Sequence, residues 1–399
     1  MARVNRLLLM ALLSLRTFTQ AGAWVAPALR APLFRQQQKA LMATSQLEQL
    51  ASMTVLSVDT GDLDVIAEMA ATGLISDATT NPLFVSQAGL SGDPRYAALV
   101  DAAVEYATMK QQGAPTQPEH EMVGLAMDKL AVKLGTEIIQ KSGIKGYVST
   151  EVDPRLSFDT KQSVRRARRI IAMYDEVGIP KERVLIKLAA TWEGIMAAKE
   201  LEADDITCNL TLIFGFVQAV ACAQVGARLI SPFTGRILDW HKLHDPASYP
   251  GGVCAAPADD PGVQVVARIY RYYKRHGHAT ICMPASWRPS RGATGEFDLD
   301  EIIALAGTDR MTIPPGLLQQ LADSTDPVPR LLDPAAASEE CEDVEEIGGG
   351  AMTESEFRLL LNADACATAK MAEGLQSFIH DTNKLEEAIR AKVQAKIKP

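Results

Sequence analysis

No two of the six cysteines (Cys208, Cys222, Cys254, Cys282, Cys341, Cys366) stand in a CxxC pair, and no histidine cluster joins them. That excludes a disulfide-built secreted scaffold and a structural zinc site. The pairs in "HKLH" (His241–His244) and "HGH" (His276–His278) match no ligand-spacing motif and read as surface histidines. No short-period repeat is present. No GxGxxG follows the first β-rich run, which continues instead as "DTGDLD", so a dinucleotide-binding open sheet is excluded. Positive charge is also scarce. The chain carries 40 basic and 49 acidic residues, a net charge of −9, which argues against nucleic-acid or anionic-membrane binding.

Acidic residues are missing altogether before Glu48, whereas Arg3, Arg6, Arg16, Arg30, Arg35 and Lys39 precede it. Within this stretch, "LLLMALLSL" is too short to cross a bilayer and suits a signal-peptide core. Small residues before Trp24 suit cleavage there, and a basic, acid-free stretch follows. A signal followed by a transit-like segment resembles the bipartite leaders of plastid proteins, so residues 1–47 are expected to be a targeting leader and the destination a plastid. A plain secretory signal, a mitochondrial presequence and a cytoplasmic protein are the alternatives. Without the leader the body holds 34 basic and 49 acidic residues, a net charge of −15. A phosphorylated substrate would have to be held by specific arginines against that field.

The body, 48–399, alternates short β-rich runs with amphipathic helical stretches. The runs are 54–60, 74–81, 146–153, 184–190, 206–213, 228–235, 278–286 and 310–315. Between the third and fourth, Val164, Ala167, Ile170, Ile171 and Tyr174 share one helical face that Gly178 and Pro180 bring to an end. Eight such units predict a parallel (β/α)8 TIM barrel. The stretch "DPAAASEECEDVEEIGGGA" reads as a linker to extra C-terminal helices beginning near Thr353. Residues 243–262 and 289–299 read as long surface loops.

One strand holds an anomaly. "VLIKLAA" is apolar except for Lys187. A lysine in a strand more often reaches out to water than stays buried. The alternative is an amine that attacks a carbonyl to form a Schiff base. The neighbouring strands favour the second reading. In a parallel barrel, chemistry collects at the C-terminal strand ends. There the chain offers Asp59, Asn81, Glu151, Lys187, Asn209, Thr211, Ser231 with Arg236, and Ser286 with Arg288. An iminium on a lysine withdraws electrons and permits cleavage of the neighbouring carbon–carbon bond. Two carboxylates in different environments can move the protons, and two arginines with a serine suit a phosphate.

The motifs "VDTGD", "DATTNP", "STEVDPRLSFDT", "VLIKLAATWEGI", "CNLTLIF", "LISPFTGRILDW", "IYRYYKRHG", "TESEF" and "MAEG" resemble transaldolases of the pentose phosphate pathway, from about Glu48 to the C-terminus. The resemblance implies that Lys187 is the Schiff-base lysine and Asp59 the acid/base of bond cleavage. It implies that Glu151 acts through a water held with Thr211. Asn81, Asn209 and Ser231 would hold the dihydroxyacetone unit, and Arg236, Ser286 and Arg288 the phosphate. Phe233 would face the reacting unit where aldolase-like relatives carry tyrosine. No metal or organic cofactor is implied; sugar-phosphate substrates and a homodimer are. The runners-up are a fructose-6-phosphate aldolase and a sugar-phosphate binder without turnover. One departure stands out: the family usually reads "MGASFR" where this chain has "MPASWR", so Pro284 and Trp287 are expected to disturb the phosphate end.

Overall fold

The computed structural model describes residues 44–110, 118–292, 295–339 and 351–397. The proposed leader lies, as far as residue 43, outside the described residues, and the architecture below is that of Ser45 onward. Eight strands form: β1 (Val55–Asp59), β2 (Ile75–Thr79), β3 (Val148–Glu151), β4 (Val184–Ala189), β5 (Cys208–Ile213), β6 (Leu229–Pro232), β7 (Ile281–Cys282) and β8 (Arg310–Ile313). Each falls inside a run read from the sequence. All pair in parallel, in the order β7-β6-β5-β4-β3-β2-β1-β8. The seam between β7 and β8 is bridged just past β7, where the Thr312 amide donates to the Pro284 carbonyl at 3.2 Å. This is the (β/α)8 barrel expected.

β4 and β5 are buried along their whole length, because helices cover one face and the barrel interior the other. The helix Thr160–Asp175 begins where the Asp159 side chain accepts the Gln162 amide at 3.0 Å. It buries Val164, Ala167, Ile170 and Tyr174 as its spacing predicts, with Met173 and Ser163 beside them.

Two departures concern the C-terminal third. The stretch read as a linker opens with a helix, Pro334–Glu339, started by the Asp333 side chain on the Ala335 and Ala336 amides and packed on Pro261–Arg275. A run of alanines behind an aspartate cap favours a helix over a solvated tether. The C-terminal helices Glu354–Ala363 and Ala365–Ile397 are not a peripheral tail. The second touches β5, the Pro154–Leu156 turn after β3, the helix Thr234–His244 after β6 and the helix Pro82–Leu90 after β2. It therefore crosses the C-terminal rim of the barrel. Its far end is anchored in a separate apolar cluster, in which Leu385, Ile389 and Val393 meet Val100, Val104, Met122 and Leu130.

Candidate active site

The parallel register aligns three of the expected residues. Glu151 on β3 pairs with Lys187 on β4, and Lys187 with Asn209 on β5. Lys187 does not reach out to water. It is 3% exposed, and its Nζ lies 3.1 Å from Glu151 Oε2 and 3.4 Å from the Thr80 carbonyl oxygen. The Glu151 contact is an ion pair without the alignment of a hydrogen bond, since Oε2 has no hydrogen-bond partner. Burial pushes the Glu151 carboxyl up, against the opposing pull of Lys187.

Two residues beyond Asn209, Thr211 points the same way and is fully buried, with its hydroxyl unpartnered. From Asn209 a polar chain runs through the barrel interior. Asn209 Nδ2 donates to Ser149 Oγ at 3.2 Å, and Ser231 Oγ donates to Asn209 Oδ1 at 2.9 Å. Asn209 and Ser231 thus fix one another's orientation. Asn81 ends the β2 segment and caps the helix Pro82–Leu90, its Oδ1 accepting the Phe84 amide at 3.0 Å. That bond uses only the oxygen and leaves the amide NH2 free to donate. Asn81 and Glu151 line one small cavity with Thr382 of the C-terminal helix.

Asp59 ends β1. Burial pushes its carboxyl up to about 6, while the positive charges of Lys187 and Arg236 pull the other way. The two carboxyls flanking the lysine are both raised, chiefly by loss of water.

Arg236 rises from the first turn of the helix Thr234–His244. Its guanidinium sits over the Phe233 ring at 5.0 Å and has no ion-pair partner among the described residues. Burial and the nearby Arg288 lower its pKa. Two guanidiniums held close enough to oppose one another mark a place for an anion. Arg288 is steered from several sides. Its Nε donates to Asp239 at 3.1 Å, its Nη1 to the Trp287 carbonyl at 2.9 Å, and its backbone amide to Glu301 Oε2 at 2.7 Å. Ser286 adopts a left-handed backbone, φ +63°, and its carbonyl accepts the Gly235 amide at 2.9 Å. Gly235 is required there: a Cβ would stand 2.5 Å from the Ser286 oxygen and 2.8 Å from the Arg288 nitrogen.

Pro284 and Trp287 do not pull this end away from Arg236. Met283 and Ala285 give their amides to β6 carbonyls, so position 284 faces β8 and its missing N–H breaks no bond to β6. Trp287 sends its indole N–H to the Thr312 carbonyl at 2.8 Å, adding a bond across the seam that a phenylalanine lacks. Phe233 is buried, with its ring edge-on to Phe214 at 5.7 Å.

The sequence reading missed Asp239, Glu301, Phe378 and Thr382. Asp239 was findable, since it lies three residues after Arg236 on one helix face. The others come from segments with no chemical motif. The histidine pairs pack on aromatic rings rather than standing free: His244 stacks on Trp240 at 4.2 Å, and His278 on Tyr272 at 5.4 Å.

Comparison with known proteins agrees with this geometry. Residues 56–389 match the family described as Transaldolase/Fructose-6-phosphate aldolase. A "Transaldolase" of Saccharomyces cerevisiae is 48% identical over 90% of this chain and 98% of its own length. One of Shewanella amazonensis is 46% identical over 87% and 98%, and one of Aliivibrio salmonicida is 44% identical over 88% and 100%. Both the match, which runs through every strand of the barrel, and these full-length relatives make this chain a member of the transaldolase/fructose-6-phosphate aldolase family.

Proposed function

We propose that this protein is a transaldolase. It moves a dihydroxyacetone unit from a ketose phosphate (fructose 6-phosphate or sedoheptulose 7-phosphate) to an aldose phosphate (erythrose 4-phosphate or glyceraldehyde 3-phosphate). The observation that carries this reading is the row Glu151–Lys187–Asn209, a buried amine between a carboxyl and an amide, with Asp59 close enough to feel its charge.

The Lys187 amine adds to the ketose carbonyl. Glu151, through a water shared with Thr211, moves the proton that lets the carbinolamine lose water as the iminium forms. Asp59 takes the proton of the hydroxyl on the next carbon but one from the nitrogen-bearing carbon. The carbon–carbon bond then breaks, its electrons pass to the iminium, and an aldose leaves behind a lysine-bound enamine. The enamine carbon attacks the acceptor aldehyde, Asp59 returns its proton to the new alkoxide, and water releases the product. Asn81, Asn209 and Ser231 suit the hydroxyls of the three-carbon unit. Arg236, Ser286 and Arg288 suit the phosphate. Phe233 favours transfer over aldolase behaviour, because its ring offers no proton where a tyrosine would.

Fructose 6-phosphate with erythrose 4-phosphate should yield sedoheptulose 7-phosphate and glyceraldehyde 3-phosphate. Fructose 6-phosphate plus borohydride should leave a reduced adduct on Lys187, and Lys187→Arg should abolish it, since a guanidinium stays protonated. An adduct mapped to another lysine would sink the assignment. The acid-free leader supports a plastid location, followed by where residues 1–47 carry a fluorescent reporter. The family resemblance supports a homodimer, measurable by sedimentation.

A further inference from the structure

The C-terminal helix reaches the site by a specific route. At Gly374 it presses on Leu212 at the end of β5, where a Cβ would stand 2.7 Å from Leu212 Cδ2. Leu212 itself cannot withdraw easily. Its backbone is left-handed, φ +55°, and its carbonyl accepts Gln218 Nε2 at 2.9 Å. The same Gln218 side chain donates to the Ala190 carbonyl at 3.1 Å and accepts the Phe214 and Gly215 amides. One buried amide thus pins the ends of β4 and β5 together beneath the helix.

One turn beyond Gly374, on the same face, comes Phe378. It is 4% exposed, and its ring centroid lies 5.8 Å from Lys187 Nζ. A further turn on, Thr382 bonds back to the Phe378 carbonyl at 2.8 Å and lines the cavity that contains Glu151. The amine is therefore bounded by a carboxyl, by the Thr80 carbonyl and by an aromatic ring that belongs to none of the strands.

We propose that Phe378, set over Lys187 by the Gly374–Leu212 contact, is a specificity-determining residue that shields the lysine-bound enamine from bulk water and so commits it to transfer. This rests on the transaldolase reading above. The enamine has two fates. In transfer, its carbon forms a bond to the acceptor aldehyde carbon. In the unproductive branch the same carbon takes a proton from solvent water, giving the dihydroxyacetone iminium. Water then adds at the iminium carbon, and the bond to nitrogen breaks, returning the free amine and dihydroxyacetone. Both fates use water at the nitrogen end, where Glu151 and Thr211 stand. Only the second needs solvent at the enamine carbon, and an apolar ring over the lysine denies it that.

The test compares two rates in the full chain: dihydroxyacetone release from fructose 6-phosphate alone, and sedoheptulose 7-phosphate formation after erythrose 4-phosphate is added. Phe378→Ala should raise the ratio of release to transfer by at least about tenfold, because solvent regains a proton-donating position. Phe378→Leu keeps an apolar cover and should hold the ratio within about threefold of the unaltered protein. Gly374→Ala strengthens the helix intrinsically, yet must push it off Leu212, so it should raise the ratio with Phe378 intact. Retention of the borohydride adduct on Lys187 certifies that a variant's site is assembled. An unchanged ratio in Phe378→Ala and Gly374→Ala, with the adduct retained, would overturn the shield. Failure of the unaltered protein to form either the adduct or sedoheptulose 7-phosphate would instead overturn the transaldolase reading itself.

Discussion

Asp59 shows how a single residue can be costly to the fold and useful to the reaction. Its carboxyl sits at about 6 in the folded chain and near 3.8 when solvated, so the fold favours the protonated form. The group's contribution to stability is greatest below pH 3.8 and declines as pH rises through the window from 3.8 to about 6. Above that window the ionised carboxylate carries a constant penalty of up to about 3 kcal/mol. Asp59→Asn should therefore raise Tm more at pH 7.5 than at pH 4, while abolishing cleavage of the ketose. The unaltered enzyme should lose kcat on acidification with a midpoint near 6, because Asp59 must be ionised to take a hydroxyl proton. A loss centred near pH 4, or no extra stabilisation of Asp59→Asn at neutral pH, would contradict this account of the carboxyl. Lys187 was legible in the sequence for a related reason: a charged side chain in an apolar strand is a local inconsistency that function resolves. Glu301 was not. Its Oε1 is buried without a partner, and burial with the nearby Asp260 pushes its carboxyl well up. Nothing in "DLDEIIALAG" marks that carboxyl as the support beneath the Arg288 backbone.

At the scale of elements, the strands were readable because a parallel barrel demands short apolar runs at regular spacing, each followed by a helix. What composition could not give was how the barrel closes. β7 is only two residues long, Ile281–Cys282; within it the Cys282 amide reaches the Asp309 side chain just before β8, at 3.0 Å, and two further bonds to β8 come from residues beyond it. One is the Thr312 amide on the Pro284 carbonyl; the other is the Trp287 indole on the Thr312 carbonyl. The latter links the seam directly to Ser286 and Arg288. Trp287→Phe keeps the ring and leaves the Thr312 carbonyl unpaired in a buried place, a cost of about 1–3 kcal/mol. Tm should fall by several degrees, and KM for fructose 6-phosphate should rise with little change in kcat. An unchanged KM would mean that the seam and the phosphate end are mechanically independent. The C-terminal helix was harder still. Its apolar positions predicted a helix, yet helical periodicity does not say what lies beneath a face. Gly374 read as part of a family motif, whereas its physical role, close approach to Leu212, needed the fold.

The whole chain carries a net charge of −9, and residues 48–399 one of −15, yet it works on anionic sugars in the proposed reaction. Its arginines must therefore act locally, and Arg236 and Arg288 stand together although each raises the energy of the other. The leader proposed for residues 1–47 overlaps the first helix of the body, which Ser45 caps and Leu47 helps to bury, so a body freed of a leader must complete its own fold from about Thr44. The first helix meets that demand. Ser45 caps Gln46–Ala51 in a reciprocal box with Glu48, so the first described turn closes on itself. Leu47 and Leu50 are buried, the Gln46 amide donates to the Ser324 carbonyl at 2.8 Å, and Gln49 Oε1 accepts the Val328 amide at 2.9 Å. The helix is thus stitched to the segment after β8, at the end of the barrel's eightfold path. A chain beginning at Thr44 should accordingly keep the Tm and kcat of the full chain. One beginning at Met53 loses two buried leucines, each worth about 1.5–3 kcal/mol, together with those bonds. Its Tm should drop by ten degrees or more, with an adduct on Lys187 still forming at low temperature because the site lies at the strands' C-terminal ends and Gln46–Ala51 precedes β1. If instead the chain beginning at Thr44 proved unstable while the full chain did not, residues 1–43 would be part of the fold, and a cleaved leader would no longer describe them.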